Sequence, residues 1–233
     1  MLGLGNSVSA SQYPGGWLPS DESTLEAWYR FNEGITLNGS DVSAWADSSS
    51  NTFNMTQGTE SKQPAFSSGT LTFTSSNEEA LASSSAFTLD AEFVIGFKVD
   101  PDEHNTVILG HNSTASEMIK LLNSSTIRIK PDTANVDFTM ESGHDVKDDS
   151  SWVVVRKNDD TVAVYKDLNG VLVQQDSAKA CAGDFVLDTI GRRAGGTENY
   201  FDGTMKEIIV FKGVADADSD ALRDNIYERL KGL

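Results

Sequence analysis

The sequence predicts an all-β protein built as an antiparallel β-sandwich. Short runs of β-branched and aromatic residues alternate with polar residues at the two-residue period of a strand. Asn, Asp, Gly or Ser interrupts these runs every 8 to 12 residues or so, which is typical of sandwich folds. No regular alternation of strand and helix patterns occurs, so the sequence argues against a parallel α/β sheet.

Each apolar alternating run predicts one strand. In chain order the runs are Leu25–Phe31, Thr70–Thr74, Glu92–Val99, Thr106–Gly110, Thr126–Lys130, Val136–Met140, Ser151–Arg156, Thr161–Lys166, Gly170–Gln174 and Gly203–Phe211. Two turn sequences, Asn158–Thr161 and Asp167–Gly170, separate three successive runs, so we expect those strands to form a meander.

The last stretch of the chain predicts the only good helix. From Asp216 onward, acidic residues come first and basic residues last, which matches the helix dipole. Leu222, Ile226, Tyr227 and Leu230 share one face of that helix. We expect this face to pack across an edge or open end of the sandwich, with the charged face in water.

The first 22 residues predict an extended arm. Their apolar residues follow neither a helical nor a strand period. Besides Val8, they include the candidate docking residues Leu2, Leu4, Tyr13, Trp17 and Leu18. Two alternatives remain open: the arm lies along its own domain, or these side chains dock on a partner chain. The predicted organisation is therefore an arm (1–22), a sandwich (23–213) and a C-terminal helix (214–233).

The composition disfavours several classes of protein. Eighteen Lys and Arg residues oppose 35 Asp and Glu residues, a formal net charge of −17. Such a chain repels phosphate backbones and anionic lipid, so we expect neither nucleic-acid nor membrane binding. The single cysteine, Cys181, excludes an intrachain disulfide. No signal peptide or membrane span is evident, so we predict synthesis and folding in a cytosol.

The motifs of common hydrolases are absent. Glucanases with a sandwich fold carry E-x-D-x-x-E on one strand, which points their carboxylates to one face, and this chain has no such run. No G-x-S-x-G or H-E-x-x-H segment frames His104, His111 or His144. The sequence therefore predicts a protein that is not an enzyme and needs no cofactor.

Calcium is the one ion that the sequence leaves open. Asp216–Asp220 begins like an EF-hand loop, but Ala221 replaces the glycine and Tyr227 replaces the bidentate glutamate, so that site is excluded. Two loops hold several carboxylates and are weak candidates for a rim ion site. Their residues are Asp100, Asp102 and Glu103 in one loop, and Asp145, Asp148 and Asp149 in the other.

Two segments resemble a known family. The segment Asp41–Gln57 contains W-x-D-x-S-x-N and is followed by Lys62–Pro64, and the segment Asn199–Phe211 reads F-x-G-x-x-x-E-I-x-V-F. Together they resemble concanavalin A-like lectin/glucanase domains of the laminin-G type. The resemblance implies a jelly-roll of two antiparallel sheets, with a concave sheet and rim loops available for ligands.

The opening segment Met1–Ser7 resembles the start of virion proteins from tailed phages of marine cyanobacteria. This resemblance implies a virion structural protein, made in the host cytoplasm, present in several copies and attached by its arm to other virion proteins. It would decorate the capsid or belong to a tail or fibre. The alternative function is a carbohydrate-binding module that recognises host-surface glycan.

Overall fold

The computed structural model describes residues 16–90, 92–132, 134–194 and 200–233. The strands are β1 (Leu25–Tyr29), β2 (Ile35–Asn38), β3 (Asp41–Trp45), β4 (Met55–Thr56), β5 (Ala65–Ser67), β6 (Thr70–Phe73), β7 (Leu81–Leu89), β8 (Phe93–Pro101), β9 (Thr106–Gly110), β10 (Met118–Asn123), β11 (Thr126–Lys130), β12 (Val136–Thr139), β13 (Ser150–Arg156), β14 (Thr161–Leu168), β15 (Val171–Ala180), β16 (Phe185–Ile190) and β17 (Gly203–Lys212). One α-helix, α1 (Asp216–Lys231), follows them. The predicted all-β class is confirmed.

The strands form one continuous antiparallel sheet that folds into two layers. The first layer has the order β1-β17-β8-β13-β14-β15. The second has the order β4-β7-β16-β9-β10-β11-β12. At one edge, β3, β5 and β6 connect the layers, because β3 pairs with β4 and β5 while β6 pairs with β17. The meander of β13, β14 and β15 is confirmed.

The first layer is covered on both faces, which explains its apolar strands. In β17, Ile208 and Val210 point into the core between the layers, whereas Ile209 and Phe211 contact α1 on the outer face. A strand buried on both faces carries a continuous apolar run, since neither set of alternate side chains meets water. The apolar face of the helix packs on this outer face, over β8 and β13 in the middle of the layer, and not across an edge or open end of the sandwich as we expected from the sequence.

A glycine lets α1 approach the sheet closely. A Cβ atom on Gly96 of β8 would lie 2.2 Å from Ile226 Cγ2 and 3.2 Å from Leu230 Cδ1. We expect Gly96→Ala to lower the free energy of unfolding by about 1–3 kcal/mol, because the helix would have to move outward. Urea denaturation measures this loss. Gly58→Ala is the control, since its Cβ would meet nothing within 4 Å, and an equal loss in both variants would contradict the prediction.

The two family-like segments have structural roles. Asp47 accepts hydrogen bonds from the backbone N–H groups of Trp28, Ser49 and Phe53, at 2.8, 2.8 and 3.0 Å, and so fixes the loop after β3. In the second segment, Gly203 has φ +125°, and a Cβ there would lie 2.3 Å from the carbonyl oxygen of Asp100. Both motifs therefore shape backbone and packing.

Candidate functional site

A polar cleft lies at one end of the sandwich. It has a volume of about 510 Å³, within the range of ligand sites. We call it the rim cleft. Its lining residues are Gly143, His144, Asp148, Asp149, Ser150, Asp167, Leu168, Asn169 and Gly170. Three of these side chains are carboxylates, so the cleft offers several hydrogen-bond acceptors.

The meander brings the two walls of the rim cleft together. The loop before β13 and the turn after β14 lie at the same end, because these strands are antiparallel neighbours that pair Trp152 with Lys166. The turn is Asn169–Gly170, whose φ values of 57° and 83° suit a tight two-residue hairpin. Asp167 Oδ1 accepts the Gly170 N–H at 2.7 Å, which fixes this turn.

The other wall is the loop of residues 141–149. Its Val146 side chain is fully buried in the core, and the Val146 N–H donates to the Ser124 carbonyl at 3.1 Å. The Asp145 N–H donates to Asp148 Oδ2 at 3.1 Å, and the Lys147 N–H donates to Asp145 Oδ1 at 2.9 Å. Hydrogen bonds inside the loop and the buried Val146 side chain therefore fix its conformation.

A second polar cluster lies at the far ends of β9 and β10. His111 Nδ1 lies 2.9 Å from Glu117 Oε2, and its Nε2 lies 3.9 Å from Asp188 Oδ2. Burial is the main cause that raises the pKa of Asp188. The imidazole thus lies between the two carboxylates, within 4 Å of both. Glu117 Oε1 also accepts the Val186 N–H at 3.0 Å, which ties β10 to β16.

The calcium candidates are not supported by a cluster of acidic side chains. Within the described ranges, no group of three His, Cys, Asp or Glu side chains is placed to hold a metal ion. Burial, and then the neighbouring carboxylates of Asp149 and Asp102, raise the pKa of Asp100. A calcium site at Asp100, Asp102 and Glu103 would need backbone or amide oxygens as further ligands, and it stays a prediction.

The arm residues fall into two groups. Leu2, Leu4 and Tyr13 lie outside the described residues. Trp17 and Leu18 pack against the apolar layer under α1, where the Trp17 ring lies 6.3 Å from the Phe211 ring. This end of the arm therefore follows its own domain, and docking of the arm on a partner stays a prediction.

The sequence did not single out His144, Asp167, Lys166 or Asn169 as site residues. The turn sequence Asp167–Gly170 could have indicated the rim cleft, because a meander places that turn beside the loop that precedes β13.

No helix in the described ranges has the length and apolar content that a membrane span requires.

Comparison with known proteins shows the fold. No family model matches the chain, and no curated protein matches it. A solved arabinofuranosidase, complexed with arabinofuranosyl-alpha-1,2-xylobiose, superposes with TM-score 0.52 at 17% identity, covering 81% of this chain and 51% of its own. The chain thus spans about half of that enzyme.

Two further structures are similar. Domain 4 of AbnA, a GH43 extracellular arabinanase from Geobacillus stearothermophilus in complex with arabinotriose, gives TM-score 0.50 at 14% identity and covers 88% of this chain and 98% of its own. The binding domain of Paraclostridial Mosquitocidal Protein 1 gives TM-score 0.55 at 11% identity, covering 87% and 52%. The chain has an all-β, sandwich-like fold that it shares with parts of these proteins.

These similarities correct one prediction. The missing hydrolase motifs led us to predict a protein that is not an enzyme, and that prediction is wrong. Glycoside hydrolases are among the structures that share this fold. The fold is one that enzymes use, and the absence of E-x-D-x-x-E does not exclude activity, since catalytic carboxylates are recognised by their geometry around the bond rather than by one spacing.

Proposed function

We propose that the chain is a carbohydrate-binding module and that its glycan binds in the rim cleft. The polar cleft between the loop 141–149 and the turn at Asn169–Gly170 carries this proposal. Sugar hydroxyl groups both donate and accept hydrogen bonds. Carboxylates accept them, an asparagine amide does both, and these groups line the cleft in fixed positions.

The tryptophans favour recognition by hydrogen bonds. Trp28, Trp45 and Trp152 are buried, and Trp17 is half-buried. Trp28, Trp45 and Trp152 therefore offer no open face on which a sugar ring could stack. The glycan would be held through its hydroxyl groups, which agrees with the polar lining of the cleft.

The similar structures support the class of ligand. One is a domain solved with arabinotriose, and another is an enzyme solved with an arabinose-substituted xylobiose. Neutral, hydroxyl-rich oligosaccharides are thus the first ligands to test. A laminin-G-type assignment of the sandwich belongs to the same proposal and is supported by the two family-like segments.

A glycan array tests this function. We expect the purified, fluorescently labelled protein to bind neutral oligosaccharides, including arabinan and arabinoxylan fragments, with affinities that calorimetry then measures. Binding to no glycan on the array would contradict the proposal. Release of reducing sugar from a bound oligosaccharide would add a hydrolase activity to the binding function.

We further propose that the module is displayed on a phage particle, in several copies and beside other virion proteins. The segment Met1–Ser7 and the acidic surface of a chain with net charge −17 support this context. Quantitative mass spectrometry of purified particles tests it. A copy number in the range of a capsid protein favours decoration, a small multiple of three or six favours a tail or fibre, and absence from the particle contradicts the proposal.

A further inference from the structure

A fully buried lysine lies next to the rim cleft. The Lys166 side chain has no exposed surface, and its Nζ donates to Asp148 Oδ2 at 3.1 Å and to the Asp145 carbonyl oxygen at 2.9 Å. The same Nζ lies 5.5 Å from the centre of the Trp152 ring. Burial lowers the pKa of Lys166. An ammonium group without water needs such oxygen and ring partners, because desolvation of a charge is costly.

Two further carboxylates of this loop are also bound by nitrogen atoms from other elements. Lys98 Nζ lies 2.7 Å from Asp149 Oδ1, and His104 Nε2 lies 2.8 Å from Asp145 Oδ1. A loop with several carboxylates is the kind of segment that gathers a calcium ion, which takes six to eight oxygen ligands. In this loop, side-chain nitrogens already meet those oxygens.

We propose that the ammonium group of Lys166 takes the place of a divalent cation beside the rim cleft, so that the cleft binds its glycan without a metal ion. That a glycan binds in the cleft rests on the proposed function. The role of Lys166 rests on the contacts of its ammonium group. Lys166 is a positioning residue. It holds Asp148 and the backbone at Asp145, and through them the loop that forms one wall of the cleft.

The unmodified protein gives the first test. We expect the same Kd for the glycan identified on the array in excess EDTA and in millimolar calcium. The two buffers are matched in ionic strength with sodium chloride, because salt alone screens charged contacts. Weaker binding in EDTA, or tighter binding in calcium, would overturn the proposal.

Lys166→Met gives the second test, which needs no glycan. Removing the ammonium group leaves the oxygens of Asp148 and Asp145 without their cation, so we expect calcium to raise the melting temperature of this variant. Calcium should not raise that of the unmodified protein or of Lys166→Arg, which keeps a cation. Lys212→Met is the matched control, because Lys212 pairs with Asp90, which precedes β8, at 3.1 Å.

The two tests separate the two proposals. If the protein binds no glycan, the proposed function fails, and the calcium response of the melting temperature still decides the role of Lys166. If calcium does not change the melting temperature of Lys166→Met, or if it raises that of the unmodified protein through Asp148, then the ammonium group of Lys166 does not take the place of a divalent cation. If Lys166→Met folds only in calcium, refolding yield replaces the melting temperature and supports the proposal.

Discussion

Glu207→Gln is expected to lower the free energy of unfolding by about 3–5 kcal/mol, the range for breaking a buried ion pair from one side. Glu207 is fully buried, and Arg229 of α1 is 4% exposed. Arg229 donates to both carboxylate oxygens, with Nη2 at 3.0 Å from Oε2. Trp28 Nε1 also donates to Oε1 at 2.8 Å. The substitution removes the charge that compensates a buried guanidinium, and urea denaturation measures the loss.

An exposed pair provides the control for this measurement. Asp224 is 62% exposed and lies 2.8 Å from Arg223 on the same helix. Asp224→Asn should change the free energy of unfolding by less than about 1 kcal/mol, as surface pairs do. If Glu207→Gln also lowers the free energy of unfolding by less than about 1 kcal/mol, the Glu207 carboxylate is not what stabilises the buried charge of Arg229. The double variant Glu207→Met/Arg229→Met should recover most of the loss, because it leaves no unpaired charge.

Asp149→Ala is expected to weaken glycan binding about tenfold or more. Asp149 lines the rim cleft, and its carboxylate is half-exposed. A hydrogen bond that involves a charged group contributes about 1.5–3 kcal/mol, which corresponds to a tenfold to hundredfold change in Kd. Calorimetry with the glycan identified on the array measures the change. The stability of the variant is measured alongside, because the Lys98 side chain that pairs with Asp149 is only 10% exposed and would lose its partner carboxylate.

Asp90→Ala is the matched control for the cleft. Asp90 is about as exposed as Asp149 and is likewise bound by a lysine, but it precedes β8, whereas Asp149 meets Lys98 near the end of that strand. Affinity should be unchanged in Asp90→Ala. Equal weakening in both variants would indicate a general electrostatic effect, and unchanged affinity in both would place the glycan elsewhere on the molecule.

Alternating runs made the fold class predictable, because a strand that is buried on one face alternates apolar and polar side chains with a period of two residues. The same argument failed for β2, β3, β4, β5, β7, β10 and β16, which were not predicted. Two of them, β7 (Leu81–Leu89) and β16 (Phe185–Ile190), show why: the first contains the polar run Ser83–Ser85, and the second places Asp188 among its apolar residues. Their pairing with neighbouring strands compensates for a weak local pattern, and sequence periodicity does not report on pairing.

The charged face of α1 shows a second limit. Helical periodicity correctly assigned Leu222, Ile226, Tyr227 and Leu230 to the buried face. It also predicted that the charged residues face water, and Arg229 does not. Its burial depends on Glu207, which is 22 residues away in the chain, so only the assembled fold reveals this exception.

The site was harder to predict than the fold. The motifs that carry the family resemblance, around Asp47 and Gly203, hold backbone in place, and neither contributes to the rim cleft. The cleft depends on the loop before β13 and the turn after β14, which become neighbours only once the two strands pair. In the sequence, Asn169 stands where an ordinary hairpin turn has an asparagine, so nothing there indicates a binding site.

The pairing of β1 with β17 has a consequence for synthesis. The first strand of the sandwich finds its partner only in the last, so a ribosome must release residues up to Lys212 before that layer is complete. Until α1 has also been released, the apolar face of β8 and β13 that it covers stays open to other chains. Folding of this layer is therefore governed by distant contacts that form late, which exposes the growing chain to aggregation.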